Sequence, residues 1–176
     1  MVLERLEIGC GQGRLLYLVD IGCDNNLNQL MKARKIARGK HLVLTDARRL
    51  PFRDECFSFV LASHVLEHIR RLVMALGEIK RILKHDGKVE FRFPLAELAD
   101  IDKSHVHKLS IEEWTKKIEK YFKISKCEIS STALTQQLAG KFNFVPKMVR
   151  EKFSKWLVRS PIRNRPIEVT IIGKPR

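Results

Sequence analysis

HLVLTDARRLPFRDECFSFVLASHVLEHI, residues 41–69, is the stretch whose reading decides the fold. It holds two apolar segments of strand length, Leu42–Leu44 and Phe57–Ala62, separated by a polar loop around Pro51. Thr45 and Asp46 close the first segment, and Ser63 and His64 close the second. In an open α/β sheet, ligands bind outside the carboxyl ends of the strands. Asp46, Ser63 and His64 are therefore the first candidate site residues.

Working outward, Leu72, Leu76, Ile79, Ile82 and Leu83 share one face of a helix expected over Leu72–Leu83. Asp86-Gly87 turns the chain into a strand over Lys88–Phe93. Upstream, Leu3–Ile8 reads as a first strand that runs into Gly9-Cys10-Gly11-Gln12-Gly13. Glycines there let the backbone turn tightly and approach a ligand closely. A second strand is expected over Leu18–Cys23, ending in Asp24. Only nine residues then separate Ile8 from Leu18, where a parallel crossover needs at least about 10–12. The first helix is either reduced to roughly Arg14–Tyr17 or takes residues from the second strand. An alternative register makes LVDIG, residues 18–22, the first strand and discards the glycine-rich stretch. Asn25–Ala37 reads as an amphipathic helix with Asn25 or Asn26 as N-cap.

Toward the C-terminus, Ser110 with Glu113 forms a capping box that opens a helix over Ile111–Tyr121. Phe122–Ile129 and Ile167–Ile172 read as the sixth and seventh strands, a hairpin at the sheet edge. Between them, Thr132–Leu138 and Val145–Val158 look helical. The second of these carries Met148, Phe153 and Trp156 on one face and Lys/Arg on the other.

The 176 residues make most simply one domain, 1–176, with a basic helical insertion at about 131–166. The net charge is +14, and residues 131–176 hold ten Lys/Arg against two acids, so +8 of it lies there. Such a basic excess suits RNA or an anionic lipid surface as partner, or is a solvated surface. No apolar run approaches a membrane span and no signal peptide is visible, so a cytoplasmic protein is expected. Cys10, Cys23, Cys56 and Cys127 form no C-x-x-C pair and read as free thiols.

Taken together, EIGCGQG, TDARRLPF, FSFVLASHVLEHI and LGEIKRILKHDGKVEFRFP resemble the class I S-adenosylmethionine-dependent methyltransferases, of the type called family 11. The resemblance runs from about Arg5 to Phe122. It implies a Rossmann-like three-layer α/β sandwich, a mainly parallel seven-stranded sheet with an antiparallel edge hairpin. S-adenosylmethionine is the implied cofactor and an unidentified small molecule, lipid or RNA the methyl acceptor. The family's usual helix before the first strand has no counterpart here, as in a chain shortened at its N-terminus. The rival function is a degenerate methyltransferase fold serving as a nucleic-acid- or membrane-binding module, which the shortened crossover favours.

Asp24, at a strand end, suits the ribose hydroxyls of an adenosyl group. By resemblance, Asp46 accepts from the adenine amino group and the Ala47 N–H meets a ring nitrogen. Glu7 with Gly9 and Gly11 would face the methionine end, whose positive charge favours a site with negative potential. Ser63 and His64 would lie where the methyl group is transferred, with His64 the candidate base. His64-Val65-Leu66-Glu67-His68 also spells H-x-x-E-H, an inverted zinc-peptidase motif. The string begins at a strand end rather than inside a helix, and His105 and His107 read as a loop rim, so no metal is expected.

Overall fold

The computed structural model describes residues 4–94, 104–131 and 167–176. The segments proposed as helices at Thr132–Leu138 and Val145–Val158, with most of the basic insertion, lie outside the described residues. Seven strands form one sheet: β1 (Arg5–Ile8), β2 (Ile21–Asp24), β3 (His41–Leu44), β4 (Phe57–Ser63), β5 (Leu83–Pro94), β6 (Phe122–Ser131) and β7 (Ile167–Pro175). Among the described residues the helices are α1 (Leu27–Ile36), α2 (Leu72–Ile82) and α3 (Ile111–Ile118).

The spatial order is β3-β2-β1-β4-β5-β7-β6. β1 pairs in parallel with both β2 and β4, and β7 runs antiparallel between β5 and β6. The chain reverses its direction of travel across the sheet between β1 and β4, the switch point where ligands of open α/β sheets bind. Leu6, Ile8, Val60, Leu61 and Ala62 are buried, as expected of central parallel strands covered on both faces. Arg5–Ile8 is the first strand and Ile21–Asp24 the second, so the alternative register starting at Leu18 is overturned.

The short crossover is made without an α-helix. Residues 9–20 fold into turns and a single 3₁₀ turn, Leu16–Leu18, before the chain enters β2 later than the expected Leu18. This compaction depends on Gly22. A Cβ there would sit 2.4 Å from Leu16 Cδ2 and 3.0 Å from Cys10 Sγ. The missing side chain lets the crossover lie directly on the sheet, where Cys10, Leu16, Val19, Leu30, Ala33 and Ala37 form their own small core. Gly22→Ala is expected to destabilise the fold by about 1–3 kcal/mol, the usual cost of overpacking. For a chain of this size that lowers Tm by several degrees, about 2–4 °C per kcal/mol. An unchanged thermal unfolding curve would refute this account of the crossover.

Further anchors place the loops at the sheet. The Asn26 side chain caps α1 by accepting from Gln29 N–H, and Ser110 and Glu113 close the expected capping box at α3. α3 then buries Trp114, which stacks on Phe93 of β5 with ring centres 4.1 Å apart. The loop after β3 is tied down by Arg81 of α2. Its guanidinium donates to the carbonyls of Phe52 (2.8 Å) and Leu50 (3.1 Å), and Leu50 N–H donates to Glu78 (2.7 Å). Sequence periodicity identifies α2 but not this tether.

Candidate functional site

β1 delivers Glu7 and then Gly9 to the switch point. Gly9 has φ +70, and a Cβ on it would lie 2.4 Å from Val65 Cγ2, so both backbone conformation and space demand glycine. Glu7 is 3% exposed, and its Oε2 has no hydrogen-bond partner. Burial pushes its carboxyl up to about 8, against the pull of Arg92.

Asp24 closes β2. Its Oδ2 accepts from Gly11 N–H and its Oδ1 from Asn26 N–H, each at 2.8 Å. The carboxylate therefore shapes the glycine loop as well as facing the cavity. Each carboxylate oxygen has two lone pairs, so capacity for further donors remains. Asp46 follows β3 and pairs with its neighbour Arg48, whose Nε lies 2.9 and 3.0 Å from the two carboxylate oxygens. The Arg48 hydrogen bonds hold the Asp46 carboxyl below the usual range. Nothing in the sequence pattern signalled this partner.

β4 ends in Ser63 and His64. His64 takes φ +50, uncommon for a residue with a side chain, and its N–H donates to Arg92 O at 3.0 Å. Its ring lies between two carboxylates, with Nε2 3.0 Å from Glu168 Oε2 and Nδ1 3.5 Å from Glu67 Oε1. The Glu168 hydrogen bond, with Glu67 second, raises the imidazole to about 9. At neutral pH His64 is thus a cation that donates hydrogen bonds, not the free base its intrinsic pKa suggests. Glu168 comes from β7, and Arg92 of β5 stands 4.0 Å from it. Sequence reasoning missed both. The one available signal was the alternation V-E-F-R-F over Val89–Phe93, which sets Glu90 and Arg92 on the opposite side from the apolar residues.

Glu7, Gly9, Gly11, Asp24, Asp46, Ala47, Ser63 and His64 all line one cavity of about 1000 Å³ at the carboxyl edge of the sheet. Arg92, Glu168, His68 and Ser104 complete its wall. Three of its lining acids, Glu7, Asp24 and Asp46, come from β1, β2 and the loop after β3, next to glycines that bring backbone close to any ligand. That arrangement suits an adenosyl compound carrying positive charge, and the buried unpaired Glu7 oxygen fits a cationic end.

Sheet order, switch-point cavity and strand-end acids define a Rossmann-like α/β protein with a nucleotide-type ligand site. Residues 6–91 match the methyltransferase domain family. Over that stretch, just under half of its length, the chain is similar to the class I S-adenosylmethionine-dependent methyltransferases of the family 11 type.

Among curated relatives, the demethylmenaquinone methyltransferase of Lactobacillus johnsonii is 33% identical over 99 residues, covering 48% of this chain and 41% of that protein. A Bos taurus protein named "Probable tRNA methyltransferase 9B" is 31% identical over 90 residues, 47% of this chain and 19% of its own. The chain spans less than half the length of the curated relatives it matches. A solved S-adenosylmethionine-dependent methyltransferase from Archaeoglobus fulgidus shares the fold, with a TM-score of 0.69 and 22% identity over 98% of this chain and 86% of its own.

Proposed function

We propose that this chain transfers a methyl group from S-adenosylmethionine to an acceptor that enters beside His64, and that the acceptor is an RNA. The observation that carries the reading is the convergence of Glu7, Asp24 and Asp46, from three neighbouring strands, on one cavity with the glycine loop. When bound, the cofactor supplies an electrophilic methyl on a sulfonium, and the transfer is an in-line displacement that depends chiefly on alignment. Glu7 receives the cationic amino-acid end, Asp24 the ribose hydroxyls, and Asp46 with the Ala47 N–H the adenine edge. Ser63 and His64 border the place where the acceptor meets the methyl. His64, held as imidazolium with its ring N–H groups toward Glu168 and Glu67, places a positive charge beside the acceptor.

RNA is preferred for two reasons. The charge excess of +14 is concentrated toward the C-terminus, and one relative is named for tRNA methylation. The demethylmenaquinone relative makes a small apolar acceptor the competing outcome.

Titration calorimetry tests the cofactor site directly. S-adenosylmethionine and its demethylated product are both expected to bind, and Asp24→Ala and Asp46→Ala each to weaken binding by about tenfold or more, the worth of a charge-assisted hydrogen bond. If the parent protein binds neither ligand, the chain is a methyltransferase fold put to a binding role instead. If both variants bind normally, the site assignment fails.

A further inference from the structure

We propose that Glu67, His68 and His105 form a binding site for a divalent transition-metal cation at the edge of the cavity. One ligand atom from each of the three lies within 4.8 Å of the others. His68 and His105 face each other with ring centres 4.7 Å apart.

The observation that points to a ligand is Glu67. It is 1% exposed, and neither carboxylate oxygen has a hydrogen-bond partner. The His64 imidazolium at 3.5 Å from Oε1 offsets part of its charge but leaves the hydrogen-bonding capacity of both oxygens unfilled. A buried carboxylate is costly unless donors or a metal compensate it. Two imidazoles beside it supply the rest of a coordination set.

The surrounding contacts hold the three groups in place. Val106 N–H and His107 N–H both donate to Glu67 O, at 2.9 and 3.0 Å, which welds the 104–107 segment onto the 3₁₀ turn Leu66–His68. His68 Nδ1 lies 3.1 Å from Ser104 Oγ and 3.3 Å from Ser104 O. A partner at one ring nitrogen is the arrangement that presents the other to a metal. His107 is turned away, with Nε2 2.9 Å from Ile69 O.

Two nitrogens and one oxygen suit Zn²⁺ or Co²⁺, and three protein ligands leave a coordination position open. His68 and Ser104 line the same cavity as Glu7 and Asp24, so that position adjoins the candidate acceptor entrance. The role that follows, holding an acceptor oxygen, rests on the methyl-transfer reading; the cation site itself does not. The sequence reading of H-x-x-E-H pairs His64 with His68 and expects no metal. In the structure His64 pairs with Glu168, and His105, brought in by the tertiary fold, completes a different set.

The test is Zn²⁺ titration of chelator-treated protein without S-adenosylmethionine, followed by elemental analysis after desalting. One zinc per chain is expected. His68→Ala, His105→Ala and the near-isosteric Glu67→Gln should each weaken binding by about tenfold or more, with circular dichroism verifying the fold of each variant, while His107→Ala binds as the parent does. Co²⁺-loaded protein should show d–d absorption without thiolate charge-transfer bands, because no cysteine belongs to the set. Failure to retain zinc, thiolate bands, or parent-like binding by folded His105→Ala and Glu67→Gln would overturn the proposal. Calorimetry with S-adenosylmethionine alone reports separately on the methyltransferase reading.

Discussion

Glu7→Gln is expected to stabilise the free protein above about pH 8 and at the same time to weaken S-adenosylmethionine binding. The native Glu7 carboxyl is raised from 4.5 to about 8 by burial, so the folded state keeps its proton where the unfolded chain has lost it. The unfolded state therefore binds fewer protons between about pH 4.5 and 8, and stability falls as pH rises through that window. At about 1.36 kcal/mol per pKa unit, the full loss is at most roughly 4–5 kcal/mol. Thermal stability of the parent should decline between about pH 4.5 and pH 8, and Glu7→Gln should remove this part of the decline. Binding should show the opposite preference. A cationic ligand end draws Glu7 into its carboxylate form, so binding at about pH 7 should release about one proton. Calorimetry in two buffers of different ionisation enthalpy reads that proton. The variant should release none and bind about 10–100-fold more weakly, the worth of a hydrogen bond to a charged group. Equal proton release and affinity in parent and variant would remove Glu7 from the site.

Charge reversal at Lys147, Lys152 and Lys155 is the second large effect. If the basic segment grips RNA, each lost phosphate contact should lower the log–log salt slope by about 0.9, so the triple variant loses about three units. At near-physiological salt this should appear as a loss of RNA affinity of about a hundredfold or more, with S-adenosylmethionine affinity unchanged. Binding of anionic vesicles in preference to RNA would reassign the acceptor to a lipid. An unchanged triple variant would make the basic face a solvated surface and favour a small neutral acceptor.

That Asp24, Asp46 and Ser63 gather at one edge of the sheet was legible in the sequence because they sit at strand ends. Strand periodicity is local, and the polar residue that ends a strand in a parallel sheet is delivered to one edge whatever else the chain does. That is why Glu7, Asp24, Asp46 and Ser63 could be named from EIGCGQG, VDIGCD, HLVLTD and VLAS before any contact was known. The capping box at Ser110 was readable for the same reason, since its partners are three residues apart. Element boundaries were less secure. β2 begins at Ile21 rather than Leu18, because Leu16–Leu18 is needed to close a crossover with no α-helix.

The surroundings of His64 were not legible, because its partners are distant in sequence and meet only through sheet order. His64 and Glu168 are 104 positions apart, and they touch because β7 inserts antiparallel beside β5. That contact turns a histidine of ordinary intrinsic basicity into a cation and leaves the buried Glu67 without a full partner. The sequence alone determined the sheet and the strand-end acids through short-range patterns of apolar and polar residues, and pointed to the family through the resemblance of its motifs. Only the tertiary structure decided the charge of His64 and the meeting of Glu67, His68 and His105, because burial and long-range proximity are properties of the folded chain.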